Sequence, residues 1–278
     1  MKKIIVFLAP ILIILLCWEI ISNPQIAKFL YLKANIISQN EIQETAENIS
    51  WIGLNSSLFP PPSKVVLSLK ELVISGIIFT DLKASLWRLI LGLILGCFSG
   101  VTIGMLTGRI DFIKKIFSPI IQLIRPLPPV AIIPLIIVWF GIGDGAKIFS
   151  IAFAVFFPVW INSHLGAQRI SNVFLWSAQL LTKSNLKIFQ KVIFPASLPF
   201  IVAGIRIGIS IAFIMIFVSE LTGSSSGLGY RISISHLSYH IDEMMAALFV
   251  LGLLGALSDF LFSQLINYFF PWLKFNNK

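Results

Sequence analysis

Charge is scarce in this chain. Only 12% of its 278 residues are charged and 57% are hydrophobic, whereas a soluble domain carries about 25% charged residues. That shortage excludes a soluble globular enzyme, a disordered tail and a collagen-like fibre. Cysteine occurs twice, as Cys17 and Cys97, each inside an apolar run. A disulfide framework and a cysteine-based metal site are thereby excluded. There is no G-x-x-x-x-G-K-[ST] loop to cradle a nucleotide and no H-E-x-x-H pair. Of the three histidines, His236 and His240 have the i, i+4 spacing of helical metal ligands, with Asp242 or Glu243 as a third donor. They read more simply as loop histidines, so no metal site is expected. Ser224-Ser225-Ser226 has no aspartate–histidine pair beside it, and no catalytic residue is expected.

What the chain does have is long apolar runs. They lie at about 4–21, 84–107, 119–140, 147–166, 199–221 and 244–270, each about long enough to cross a ~30 Å hydrocarbon core. The first lacks an A-x-A-like cleavage site, and Leu15-Leu16 precede Cys17, so it reads as a retained span rather than a signal peptide. The expected fold is therefore all-α, with about six transmembrane helices. The expected organisation is a first span over 1–22, an external segment over 23–80, a core over 81–272 and a tail over 273–278. Within the external segment, Pro60-Pro61-Pro62 marks a stiff break, and 63–78 reads as an amphipathic helix against the membrane.

The net charge of +9 comes from 21 basic against 12 acidic residues. The basic residues sit between the apolar runs, not in a stripe interleaved with aromatics, so they read as a topology signal and not as a nucleic-acid footprint. With six spans, Lys2, Lys3, Arg109, Lys114, Lys115, Arg169, Lys183, Lys187, Lys191, Lys274 and Lys278 fall on one side. By the positive-inside rule that side, with both termini, is cytoplasmic.

Two features stand out inside the spans. Gly92, Gly96, Gly100, Gly104 and Gly108 recur every four residues, so they share one helix face and let another backbone approach closely. That neighbour could be a helix of the same subunit or of a second copy. Gly204, Gly208 and Ala212 repeat the device, and Pro134 and Pro158 are placed to kink spans three and four. Charges also lie in or near apolar runs. Snorkelling accounts for Arg88, Glu19 and Asp259. Arg125 and Arg206 suit an anion pathway, because arginine offers a fixed fork of donors. Arg88 and Glu220 are kept with them as candidate pathway residues.

Between spans four and five, residues 167–198 carry Arg169, Lys183, Lys187 and Lys191 and no acid. The stretch 171–195 reads as two short helices, capped by Ser171 or Asn172 and by Ser184 or Asn185. Phe174, Leu175, Ala178 and Leu181 are expected to share one apolar face of the first. Here the chain resembles the permease subunits of binding-protein-dependent ATP-binding cassette importers. Their cytoplasmic E-A-A-x-x-x-G loop seats in a cleft of the ATPase. Anchored on Ile193-Phe194-Pro195, its E-A-A positions fall on Trp176-Ser177-Ala178 and its glycine on Thr182. Ala178, Ile193 and Pro195 match, and Lys183-Ser184-Asn185 must supply the bend that glycine would give.

Further motifs resemble the nitrate/sulfonate/taurine/bicarbonate branch of that family. They are Ser85-Leu-Trp-Arg88 with the glycine row, Arg125-Pro-Leu-Pro-Pro-Val-Ala131, Trp139-Phe-Gly-Ile-Gly143, Pro195-Ala-Ser-Leu-Pro199 and Glu220-Leu-Thr-Gly-Ser-Ser-Ser-Gly-Leu-Gly-Tyr230. The resemblance runs over roughly 58–272. It implies the type I importer fold, with a coupling segment at 171–198 made of Trp176, Ser177, Ala178, Thr182, Lys183, Ser184, Ile193 and Pro195. It also implies two ATPase subunits that use Mg-ATP, no cofactor on this chain, an external solute-binding protein and a second permease copy. The location would be a bacterial inner membrane, and the solute small and anionic, such as nitrate, bicarbonate, cyanate or a sulfonate. A pyrimidine precursor is the alternative solute. A membrane-embedded enzyme would need ionisable clusters at one membrane face, and a channel would have no use for the acid-free two-helix segment.

Overall fold

The structure, a computed structural model, describes residues 58–273 together with Pro10, residues 13–19 and Ser22. Every regular element among the described residues is helical. The chain divides into two units, one formed by residues up to Thr80 with Arg231–Val250, the other by Asp81–Tyr230 with residues from Leu251 onward.

In the first unit, Pro62 opens α1 (Pro62–Ile74) at a position where its missing N–H costs nothing. Val65, Ser68 and Leu72 form the buried stripe of this helix, as an amphipathic element requires. Ser68 Oγ donates to Asp242 at 2.7 Å, and the Glu19 carboxylate accepts from the Ser63 N–H and hydroxyl at 3.0 and 2.8 Å.

The second unit is built on three long helices. They are α2 (Ile77–Arg109), α5 (Asp144–Gln168) and α8 (Phe194–Leu221). Lacking side chains, the glycine row of α2 receives Ile151, Val155, Val159, Ser163 and Ala167 of α5, in step from Gly92 to Gly108. Both series ascend together, so α2 and α5 run parallel. The row therefore packs within one chain, the first of the two neighbours the sequence allowed. The opposite edge of α2 presents Ile94 and Phe98, 58% and 73% exposed. Gly204 of α8 lies against Asn162 and Pro158, and Phe200 against Gly166, so α8 runs antiparallel to α5. Thus α5 is the central helix, with small residues opening a path on both flanks.

Because α2 and α5 are parallel, the chain between them must return the length of the pair. It does so through α3 (Asp111–Ile124), a 3-10 turn (Pro129–Ile132) and α4 (Ile133–Phe140). This corrects the expected third span. The apolar run is not one helix but a pair bent by 88°. Pro126, Pro128 and Pro129 explain the break, since each lacks an N–H and disfavours helix in the residue before it. Pro134 starts α4 instead of kinking a helix, and Lys114 and Lys115, expected in a loop, lie inside α3. Among the described residues four helical runs are long and apolar enough to cross a membrane: α2, α5, Asn185–Leu221 and α10 (Ile241–Phe269). The bent pair makes a fifth when counted as one span. The expected first span and the tail with Lys274 and Lys278 lie largely outside the described residues.

The polar stretch 222–243, expected as a loop, contains α9 (Leu228–Leu237). Leu228, Ile232 and Ser235 are buried at helical spacing, a stripe too short to register against its polar neighbours.

Candidate functional site

Two regions of the second unit bring the singled-out residues together. The first gathers around Arg88. Asp81, Ser85 and Arg88 share one face of α2, and Glu220 ends α8. Arg88 Nη1 donates to Glu220 Oε1 and to the Ser226 carbonyl, both at 2.7 Å, and its Nε donates to Asp144 at 2.7 Å. Ser85 Oγ donates to the Glu220 carboxylate at 2.8 Å and accepts from the Leu228 N–H at 2.8 Å. The Gly229 N–H donates to Glu220 Oε2 and the Gly227 N–H to Asp81, each at 2.9 Å.

Snorkelling, the expectation for Arg88, is not what the side chain does. Arg88 is 5% exposed and Glu220 1%, so the charges neutralise each other inside the protein. The cost of desolvating both is met by a full set of donors and acceptors. Gly227, at φ 121°, places its Cα where a Cβ would occupy the Glu220 carboxyl group. Gly229 has no such dihedral; it lets the Phe217 carbonyl come within 2.7 Å of the Cβ position. The loop after α8 is therefore strapped to α2 and to the start of α5 through one guanidinium.

The second region is the elbow between α5 and α8. Ser171 Oγ caps α6 (Asn172–Leu181) by accepting from the Val173 N–H, and Ser184 Oγ caps α7 (Asn185–Ile188) by accepting from the Lys187 N–H. The bend between them uses extended backbone: Thr182 sits at φ −157°, ψ 140°, and its Oγ1 accepts from the Ser184 N–H at 3.2 Å. Among the described residues only Tyr239 combines a side chain with positive φ, so the turn without glycine needs no left-handed residue. A π-turn, Phe189–Ile193, leads into α8 just before Pro195. Its wider loop suits a residue that cannot bond back to the preceding turn.

Ala178, Ile188, Ile193 and Ile201 form one core with Met105 of α2 and Ala167 of α5. The elbow is therefore joined to all three long helices. Only part of the apolar face expected for α6 is buried. Leu175 and Ala178 pack inward, whereas Phe174 and Leu181 are 66% and 88% exposed, with Trp176 and Leu180 also outside. Apolar side chains on both faces of α6 leave an unpaired outer surface rimmed by Lys183 and Lys187.

The other candidates lie apart. Arg206 forms a two-bond pair with Asp259 of α10, each contact at 2.8 Å, and both are exposed. Asp259 is thus ion-paired, and the Arg206 fork that suits an anion pathway is engaged by this carboxylate. Arg125 is the exposed C-cap of α3, at the mouth of a cavity. No group of three or more potential metal ligands occurs among the described residues. Sequence reasoning saw Ser85, Arg88 and Glu220 but not their meeting, and it missed Asp81. The i, i+4, i+7 spacing of Asp81, Ser85 and Arg88 is the signal it had.

Residues 100–275 match the family of binding-protein-dependent transport system inner membrane components. The chain is 36% identical over 206 residues to a Bacillus subtilis protein named for aliphatic sulfonates transport, the permease SsuC, covering 74% of this chain and 75% of that one. It is 32% identical over 231 residues to the taurine transport system permease protein TauC of Escherichia coli, covering 81% and 84%. Its fold is similar to that of a chain of the MetNI methionine ABC transporter in an inward facing conformation. There the TM-score is 0.55 at 20% identity, over 66% of this chain and 92% of that one.

Proposed function

The chain belongs to the family of binding-protein-dependent transport system inner membrane components, and from that premise we propose how it works and what it carries. It is the multi-pass permease subunit of an ABC importer. It is not an enzyme: ATP hydrolysis belongs to a separate ATPase subunit, and a solute-binding protein is the other partner.

The chain pairs with a second permease copy, and both termini are cytoplasmic. It binds no cofactor of its own, Mg-ATP being held by the ATPases. The solute is a small anion of the sulfonate or nitrate type. The names of the Bacillus subtilis and Escherichia coli relatives support this, since aliphatic sulfonates and taurine share a sulfonate group. The match over residues 100–275 carries the permease reading, because it includes the entire elbow.

In this reading the outer surface of α6 seats in the ATPase. Closure of the ATPases on ATP moves the elbow, and the core around Ala178 and Ile193 passes that motion to α2, α5 and α8 together. The strap at Arg88 keeps the far ends of the same helices in register.

Deleting 177–185 is expected to reduce ATP-driven uptake to background and to release the ATPase on purification. Leu180→Asp with Leu181→Asp tests the same point more gently, because both side chains are almost fully exposed and their loss leaves the core intact. We expect the permease to extract and elute as wild type while losing the ATPase. Co-purification at wild-type yield would overturn the assignment of α6.

A further inference from the structure

One face of α3, its C-cap Arg125 and one stretch of α5 line a cavity of about 580 Å³. Lys114, Ser118, Gln122 and Arg125 recur every three or four residues, so they occupy one face of α3. Trp160 and His164, one turn apart on α5, form the facing wall. The volume lies within the range of small-molecule pockets. Its polar residues offer two fixed cations, an amide, a hydroxyl and an imidazole, and among the described residues no carboxylate lines it.

The wall on α5 is held from behind. Thr107 of α2 accepts from Trp160 Nε1 at 3.1 Å and contacts His164 Nδ1 at 3.0 Å. The single Thr107 hydroxyl proton is directed to the Ile103 carbonyl at 2.8 Å. On that assignment His164 Nδ1 donates to Thr107. The Trp160 and His164 rings lie 5.6 Å apart, centroid to centroid. On the opposite wall, Ser118 Oγ is buried and has no hydrogen-bond partner among the described residues, and the residue is 8% exposed. Buried hydroxyls are almost always paired, so an unpaired one lining a basic cavity points to a ligand.

We propose that this cavity is a binding site for a small oxyanion, with Arg125 and Lys114 supplying charge and Ser118 and Gln122 supplying neutral donors. The guanidinium fork matches the paired oxygens of a sulfonate or nitrate group. The site rests on the reading of the solute as an anion and gives that solute a place on the half of the second unit that bears the elbow. An anionic lipid headgroup offers the same oxygens to the same cations, and the proposal commits to the free solute.

The test uses the transporter assembled from this chain and its ATPase, titrated calorimetrically with methanesulfonate and with nitrate. Saturable binding is expected, weakened tenfold or more by Lys114→Gln with Arg125→Gln and only partly restored when Arg125→Lys takes the place of Arg125→Gln, since an ammonium keeps the charge but not the fork. Ser118→Ala should weaken it less. Elution together with the ATPase shows that each variant is assembled. Unchanged affinity in the double variant, or no saturable binding to wild type, would overturn the site. Nanodiscs of zwitterionic lipid, compared with discs containing an anionic phosphoglycerolipid, distinguish the two occupants. Equal binding in both supports a free solute, and loss of binding in the anionic discs assigns the cavity to a headgroup and overturns the proposal. Failure of the parent reading looks different. A wild-type transporter that imports no anion removes the anion reading itself. One that imports an anion equally well with the double variant removes only this site.

Discussion

Replacing Arg88 by methionine is expected to deplete the folded permease almost completely. The substitution removes the guanidinium and leaves the Glu220 carboxylate, 1% exposed, with only the Ser85 hydroxyl and the Gly229 N–H as partners. Breaking a buried ion pair from one side costs about 3–5 kcal/mol. Folded proteins have only about 5–15 kcal/mol in hand, so most of the margin is lost. Size-exclusion of detergent extracts gives the yield, and thermal unfolding of whatever remains gives the midpoint. Arg88→Lys should fall between the two, because an ammonium cannot bond Glu220, Asp144 and Ser226 in one plane as the guanidinium does.

The informative comparison is the double variant Arg88→Met with Glu220→Leu. Removing both charges abolishes the desolvation penalty as well as the attraction, and apolar replacement of a buried pair is often nearly neutral. The double variant should therefore be more stable than Arg88→Met alone. It still loses the strap on the loop, since Ser226 and Asp144 no longer meet a common donor. Recovery of folded yield without recovery of uptake is the expected pattern. A single variant as stable as wild type would show that Glu220 is not held as a charge, and the account of this strap would fail.

The same residues show what could be read before the structure and what could not. Local signals carried far. The four-residue glycine repeat announced a close helix contact, and Ser171 and Ser184 announced the two starts in the elbow, because capping is settled within three residues. The proline cluster at 126–129 is visible too, but the apolar run 119–140 passes through it and reads as one span. Hydropathy summed over a window is blind to a change of axis, whereas the missing N–H groups act at single positions. Arg88 and Glu220 were beyond reach for another reason. They lie 132 residues apart, and nothing local marks which acid a buried arginine will meet. An arginine in or near an apolar run reads as a snorkelling cation, and the fold supplies a distant partner instead. The cavity beside Arg125 likewise depends on α3 facing α5, a placement that follows from the bend and is not encoded by either helix alone.

Gly104→Leu is expected to abolish the folded permease as thoroughly as Arg88→Met, and Gly104→Ala to show why. A Cβ at Gly104 would lie 2.6 Å from the Ser163 Cβ and 2.7 Å from the Trp160 carbonyl oxygen. Neither is the free end of a flexible side chain, so only separation of α2 from α5 relieves the clash. Overpacking of this kind costs roughly 1–3 kcal/mol, against a gain of roughly 1 kcal/mol for alanine over glycine within a helix. The clash is expected to win, and the melting midpoint to fall. Gly252 of α10 provides the opposite case, since a Cβ there meets nothing within 4 Å; only the propensity term applies, and Gly252→Ala should melt at or above wild type. The damage at Gly104 also reaches the proposed anion site. Thr107 lies one turn further along α2 and holds Trp160 and His164 at 3.1 and 3.0 Å. A separation of about 1 Å takes both bonds beyond useful length and frees the wall facing Arg125. Gly104→Ala should therefore weaken methanesulfonate binding although it touches no cavity residue, while Gly252→Ala leaves binding as it was. Equal melting midpoints for the two alanine variants would mean that α2 and α5 part at no cost, and close packing along the glycine row could not be what holds them in register.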